Sequence, residues 1–393
     1  MPAPNSPSRI MAIPKTLSLI QELIAQPSVS STNPELDQSN LKVINLLAEW
    51  METLGWQVDI VPVSDTKANL VATLGSIDQP DGLVLSGHSD TVPFDEQLWQ
   101  TNPFAITETN QRLYGLGCTD MKAFFAVAIA AVQDLTAKDL THPLTLVATC
   151  DEESSMAGAK ALLASGRAFG RYAVIGEPTD LRPIHMHKGI LTESIVINGQ
   201  SGHSSDPSLG ANALEAMHQA LSIILEWRDE LQQQHHNPAF KVPHPTINLG
   251  YIHGGDNPNR ICGSCETQID IRPLPGMDLS DLKATLRHKL AQSITSNPRL
   301  SIQIKSLFEG LPAFLTAEDS KLLKILETLS AHSAEAVAFG TEAPYFNQMG
   351  LETVILGPGS INQAHQANEY LEMKQIQPSI DILRNLIKIF CVN

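Results

Sequence analysis

The chain is poor in the features that several protein classes require. Its 393 residues hold only five cysteines, Cys118, Cys150, Cys262, Cys265 and Cys391. An odd, sparse set does not make a disulfide framework and fits a reducing compartment. Cys262 and Cys265 form one C-x-x-C pair with no second pair to match, which argues against a structural zinc ribbon. Positive charge is also short: 26 Lys and Arg stand against 42 Asp and Glu, for a net charge of −16. Phosphate recognition wants a basic face, so a nucleic-acid binder is set aside. An acidic chain attracts cations instead. No apolar run approaches the ~20 residues that span a bilayer. The polar, proline-rich opening Met1–Arg9 has no apolar stretch behind it of the kind a secretory signal carries. Internal repeats and low-complexity segments are lacking too. These absences predict a soluble, cytoplasmic protein with no membrane or nucleic-acid partner.

What is present is an ordinary globular composition, 42% hydrophobic and 17% charged. The length suits about two or three domains. Apolar residues fall at helical spacing over Thr16–Ala25 and Leu36–Leu54, and Gly55 ends the second helix. Strand-like runs follow at Gln57–Val63, Asn69–Leu74 and Leu83–Leu85.

Chemistry collects where the strands stop. The run Leu83–Leu85 breaks at Gly87 and presents His88 and Asp90. A histidine past a strand end points a ring nitrogen into a cleft, and an acid two residues on can fix its tautomer. Asp120 precedes a long apolar helix, Met121–Leu135, and taken alone it reads first as that helix's cap. Leu144–Thr149 ends in Asp151, Glu152 and Glu153, and Ser154 and Ser155 can cap the next helix, Met156–Ser165. Tyr172–Ile175 ends in Gly176-Glu177, and Thr353–Leu356 leads through Gly357-Pro358-Gly359 to His365. Ligands of α/β proteins bind in the crevice at the carboxyl ends of strands. Two histidines and several carboxylates at such ends predict a metal cluster.

Between Glu177 and His365 the rhythm changes. Leu191–Asn198 reads as a strand, Ala213–Leu231 as a helix, and Thr246–Ile252 and Cys265–Ile271 as strands. Leu279–Ile294 follows as a helix and Leu300–Phe308 as a strand. The β-α-β-β-α-β order is ferredoxin-like. The predicted fold class is therefore α/β: a discontinuous di-metal catalytic domain with a central mixed sheet (1–189 and 310–393), interrupted by a ferredoxin-like lid or dimerisation domain (190–309).

Nitrogen and oxygen ligands without thiolates suit zinc, cobalt or manganese. The set is too large for one four-coordinate ion and fits two ions about 3.5–4 Å apart, sharing a carboxylate. A water held there becomes a hydroxide near neutral pH and attacks a carbonyl. A neighbouring carboxylate takes its proton and passes it to the leaving amine. Side chains of the adjacent Glu152 and Glu153 diverge, so one can ligate while the other serves as base. The predicted reaction is amide hydrolysis.

Five stretches carry a family resemblance: Gly87–Pro93, Gly115–Lys122, Asp151–Glu153, Gly176–Thr179 and the late His365. Together they resemble the di-zinc metallopeptidase family that includes aminoacylase, glutamate carboxypeptidase and succinyl-diaminopimelate desuccinylase. The likeness runs from about Leu17 to Cys391. Within the family, Gly199–Pro207, Asn259–Cys262, Asp270–Met277, Thr341–Pro344 and Gly357–His365 resemble the branch that deacylates small N-acyl amino acids. The resemblance implies two divalent ions, Zn2+ with Co2+ as the alternative. It implies that His88 and Glu177 bind one ion, that Glu153 and His365 bind the other, and that Asp120 bridges them. It makes Asp90 the anchor of His88 and Glu152 the general base and acid. It also implies a homodimer in which His203 reaches the partner's site to stabilise the oxyanion. Arg272 and Asn259 are assigned the substrate α-carboxylate, and Glu342 its side-chain amine. Cys118, two residues before Asp120, is expected to pack, with a thiol ligand as the alternative.

Overall fold

A computed structural model describes residues 13–76, 81–293 and 297–392. The polar opening stretch Met1–Arg9 and the end of the expected helix at Ile294 lie outside these residues. The chain divides into two compact units. The first runs to His185 and then takes Thr316–Ala334 and the chain from Thr341 onward; the second comprises Met186–Leu315 and Glu335–Gly340.

In the first unit, six strands follow the order Gln57–Pro62, Ala68–Leu74, Leu144–Thr149, Leu83–His88, Tyr172–Ile175, Glu352–Ile355. The first two form an antiparallel hairpin, and Ala68–Leu74 is antiparallel to Leu144–Thr149. The other four are mutually parallel. Leu83–His88, Leu144–Thr149 and Tyr172–Ile175 are buried at every position, as parallel strands covered on both faces must be. Their registers pair His88 with Thr149 and Ser86 with Ile175, so the carboxyl ends lie nearly flush along one edge. Ala123–Val132 is apolar and buried on all sides. It packs against the helices Thr16–Ile24 and Ile376–Phe390.

Three local expectations are corrected. The second helix begins at Leu41, not Leu36. Asn33 and Asp37 spend their side chains on the backbone N–H groups of Glu35 and Ser31, which holds that stretch in turns. The strand Leu83–His88 passes through Gly87 without breaking. Ser154 and Ser155 do not cap the following helix, which spans Ala157–Ala164 after Met156 at φ 57°. Ser154 Oγ instead meets Ser30 Oγ at 2.6 Å.

In the second unit, Leu191–Asn198, Ala213–Gln234, Thr246–Gly254, Ser264–Arg272, Leu279–Ser293 and Ser301–Ser306 realise the β-α-β-β-α-β order. Its sheet is antiparallel, with spatial order Thr246–Gly254, Ser264–Arg272, Leu191–Asn198, Ser301–Ser306. Met217, Ala220, Ile224, Trp227 and Leu231 recur every three or four residues along the long helix. They form one buried cluster with Ile195, Ile197, Ile269 and Ile271 of the strands. This unit extends past the expected 190–309 at both ends and also takes 335–340. All five cysteines are free and buried. Among the described residues, no helix is long and apolar enough to cross a membrane.

Candidate active site

The site is assembled at the flush carboxyl edge of the first unit's sheet. His88 is the last residue of its strand and is buried. Its Nδ1 donates to the main-chain carbonyl of Asp90 at 3.0 Å, while the Asp90 carboxylate stands 3.8 Å away. The sharp turn after the strand thus brings the carbonyl, rather than the side chain, under the ring. Asp90 Oδ2 instead accepts the N–H of Glu153 at 3.1 Å, which joins two sequence motifs. Ser89 Oγ donates to the Thr149 carbonyl at 2.6 Å and receives Asn40 Nδ2 at 2.8 Å, which fixes the turn.

His88 Nε2 lies 3.0 Å from Asp120 Oδ1 and 4.0 Å from Glu177 Oε2. Asp120 is not a helix cap. The helix starts at Ala123 with Lys122 in the cap position, and the Asp120 carboxylate turns inward. The peptide from Asp120 to Met121 is cis.

The acidic corner follows Leu144–Thr149. Asp151 has φ 56° and pairs with Lys67, whose Nζ lies 2.8 Å from Asp151 and 2.7 Å from Asp37. Ser30 Oγ adds a bond to Asp151 at 2.8 Å. This leaves Glu152 buried and Glu153 pointing to His365, whose Nε2 is 3.1 Å from Glu153 Oε2 and 3.4 Å from Asp120 Oδ2.

Two groups result. One ligand atom each from His88, Asp120 and Glu177 lie within 4.8 Å of one another, and so do those from Asp120, Glu153 and His365. Asp120 belongs to both. The first group is buried; in the second, His365 is exposed. Glu152 belongs to neither.

Charge and hydrogen bonding test whether this set fits metal ions. A neutral imidazole carries one N–H. His88 uses it on the Asp90 carbonyl, so its Nε2 lone pair would face two carboxylate oxygens. Either a second proton or a cation must lie between them. Burial opposes the charged ring, but Asp120, Glu177 and Asp90 overcome it and hold His88 well above the usual histidine range. His365 is pushed up to about 10 by its bonds to Asp120 and Glu153. Burial pushes Glu152 and Glu177 well above the carboxylate range, against the pull of His88. Burial would raise Asp120 too, but the bonds from His365 and His88 hold it below that range. Glu153 Oε1 is buried without a hydrogen-bond partner. Anionic oxygens in excess, an orphan among them, and two imidazoles aimed at one carboxylate fit two divalent cations.

Glu342 stands just ahead of the helix Ala343–Gln348 and is 1% exposed. Its Oε2 accepts Thr149 Oγ1 at 2.8 Å, its Oε1 is unpartnered, and burial pushes it up to about 7. His203, Asn259 and Arg272 lie in the second unit. His203 is exposed, with Nδ1 accepting the Ser205 N–H at 3.2 Å. The Asn259 carbonyl accepts the Ser204 N–H at 3.1 Å, so His203 and Asn259 belong to one pair of adjoining loops. Arg272 Nε donates to Asp270 at 2.8 Å. Cys118 is buried, and its Sγ reaches the Leu113 carbonyl at 3.1 Å; it is in neither group.

Sequence reasoning misses Glu369, Lys122 and Asn40. Each is buried and bonds to a group far away in sequence: Glu369 accepts the Thr119 N–H, Lys122 Nζ donates to the Gln26 carbonyl, and Asn40 Nδ2 donates to Ser89 Oγ. No periodicity marks such residues. The one signal in the sequence is an acid four positions after His365 beside a short strand.

Residues 84–389 match the family described as Peptidase family M20/M25/M40. The acetylornithine deacetylase of Proteus mirabilis (strain HI4320) is 48% identical over 383 residues, covering 97% of this chain and 98% of that one. A tripeptidase from Staphylococcus aureus superposes with a TM-score of 0.74 at 21% identity, covering 96% of this chain and 98% of that one. A Bacillus subtilis protein described as a dinuclear metal binding peptidase of the M20 family superposes with a TM-score of 0.65 at 14% identity, covering 95% and 97%.

Proposed function

The chain belongs to peptidase family M20/M25/M40, and from that premise we propose that it hydrolyses N-acetyl-L-ornithine to L-ornithine and acetate, the step that supplies ornithine for arginine biosynthesis. One observation carries the reading. Two ligand groups share Asp120 while Glu152, also buried, stays outside both. The near-half identity with a deacetylase of matching length selects the substrate.

His88 and Glu177 would hold one divalent ion, Glu153 and His365 the other, and Asp120 both. Zn2+ suits this nitrogen and oxygen set, and Co2+ would substitute. When bound, the ions polarise the amide carbonyl and acidify the attacking water. Glu152 takes that water's proton, which its raised proton affinity favours. It then delivers the proton to the amide nitrogen as the C–N bond breaks, leaving acetate and a free amine. Asp90 holds the His88 ring through its carbonyl and the Glu153 backbone through its carboxylate. In a homodimer, the partner subunit's His203 would stabilise the oxyanion. Arg272 and Asn259 would take the α-carboxylate; a forked arginine suits that task. The unpartnered Oε1 of Glu342 supports assigning it the side-chain ammonium. Five free cysteines support a cytoplasmic setting.

The test is release of acetate or succinate by the Zn2+-loaded protein from N-acetyl-L-ornithine, N-acetyl-L-methionine and N-succinyl-diaminopimelate. N-acetyl-L-ornithine should be the best substrate. Glu342→Gln should raise KM for it more than for N-acetyl-L-methionine. A higher kcat/KM on either competitor would replace the substrate assignment.

A further inference from the structure

The loop that carries Asp120 has no helix or strand of its own between Tyr114 and Ala123. Asp120 is the one residue common to both ligand groups, so its position sets the geometry of both. What holds it is a carboxylate from far along the chain. Glu369 is 1% exposed. Its Oε1 accepts the backbone N–H of Thr119 at 2.6 Å and of Asp120 at 3.0 Å, and its Oε2 accepts that of Gly117 at 3.0 Å. Three N–H groups converging on the two oxygens of one carboxyl group make a nest, a backbone form that suits anions. Gly117 at φ +85° supplies the bend, and a Cβ there would sit 2.7 Å from Lys122 Cε. The main chain beside Glu369 adds two more ties: its carbonyl accepts the Gly115 N–H at 3.1 Å, and the Tyr370 carbonyl accepts Thr119 Oγ1 at 2.6 Å.

We propose that Glu369 is a positioning residue that locks the Asp120 loop to the segment carrying His365, and so fixes the shared carboxylate for both metal positions at once. Glu369 belongs to neither ligand group and bonds Asp120 at its backbone N–H, not at its carboxylate. It acts through the Asp120 backbone, four residues downstream of His365, so one short segment supplies a ligand and braces another. The inference rests on the two-metal reading above.

The substitution Glu369→Gln keeps one accepting oxygen but turns an NH2 toward an N–H, so part of the nest survives. Glu369→Ala removes all of it. Metal-free wild type and both variants are titrated with Zn2+ by calorimetry, with circular dichroism as a check on folding, and acetate release from N-acetyl-L-ornithine is measured at saturating Zn2+. We expect both Zn2+ binding steps to weaken about 10–100-fold in Glu369→Ala, the usual scale for groups that orient ligands. Glu369→Gln should fall between Ala and wild type, kcat should drop in the same order, and KM should change less than about 3-fold. Variants that lose thermal stability yet bind Zn2+ like wild type would overturn the proposal. So would weakening of only one of the two steps. If Glu369→Ala does not fold, the Gln variant decides alone. Wild type that binds no pair of Zn2+ ions overturns the two-metal reading and this inference with it. Wild type that binds two beside unaltered variants overturns this inference only.

Discussion

Glu152 is defined by what it does not touch. It shares a buried corner with Glu153, within electrostatic reach of Glu177 and Glu342, yet it belongs to neither ligand group. A carboxylate free of a ligand's duty can pick up and release a proton, and burial raises its proton affinity above the usual carboxylate range. Glu152→Gln keeps the shape and removes the basic oxygen. We expect kcat to fall about 10²–10⁴-fold, the usual contribution of a general base, while Zn2+ content stays at the wild-type level. Acetate release with metal analysis on the same sample checks this, and loss of metal would make Glu152 a ligand. Residues of this kind are legible in the sequence, because each stands where an apolar run stops. The main-chain hold on His88 and the Glu369 nest are not. Both depend on turns that bring a carbonyl or an N–H to a point, and no pattern of side chains encodes that. Asp120 shows the limit from the other side: a helix-cap position in the sequence becomes an inward carboxylate because the helix begins three residues later.

At the scale of elements, the site depends on four parallel strands ending together. The buried strand runs Leu144–Thr149 and Tyr172–Ile175 are legible to the residue, since a strand covered on both faces must be continuously apolar. Pattern and structure part where polar side chains compete for backbone groups, as at Asn33 and Asp37, or pair with one another, as Ser154 does with Ser30. What aligns the strand ends with the buried helix is close approach. Gly176 links Tyr172–Ile175 to Glu177, and a Cβ there would lie 2.1 Å from Phe124 Cγ. Phe124 sits on Ala123–Val132, a helix buried all round, so its ring has no open side to move into. Gly176→Ala should therefore destabilise the fold by about 1–3 kcal/mol as overpacking. The urea midpoint should fall with little change in slope. Because Glu177 is the next residue, Zn2+ affinity should fall as well. An unchanged midpoint would mean that strand and helix part more easily than this packing allows.

At the scale of the whole molecule, the break between the two units is visible in the sequence as a change of rhythm. Its limits are not, because 335–340 joins the second unit through contacts rather than chain order. The candidate metal groups lie wholly in the first unit, while His203, Asn259 and Arg272 lie in the second. If the partner subunit's His203 completes each site in a homodimer, two different inactive chains can repair one another. A Glu152→Ala chain keeps an intact His203, and a His203→Ala chain keeps an intact Glu152. In the mixed dimer, one site combines wild-type Glu152 with wild-type His203, and the other has neither. Random exchange of equal amounts makes about half the dimers mixed, so the mixture should regain about a quarter of wild-type acetate release. The two variants are unfolded together, refolded together and assayed on N-acetyl-L-ornithine, with each variant alone as its baseline. Recovery near that level requires a residue given across the dimer. A mixture no more active than the sum of its parts would put His203 and Glu152 in the same chain's site, or remove His203 from the reaction. A His203→Ala variant active on its own would remove it outright.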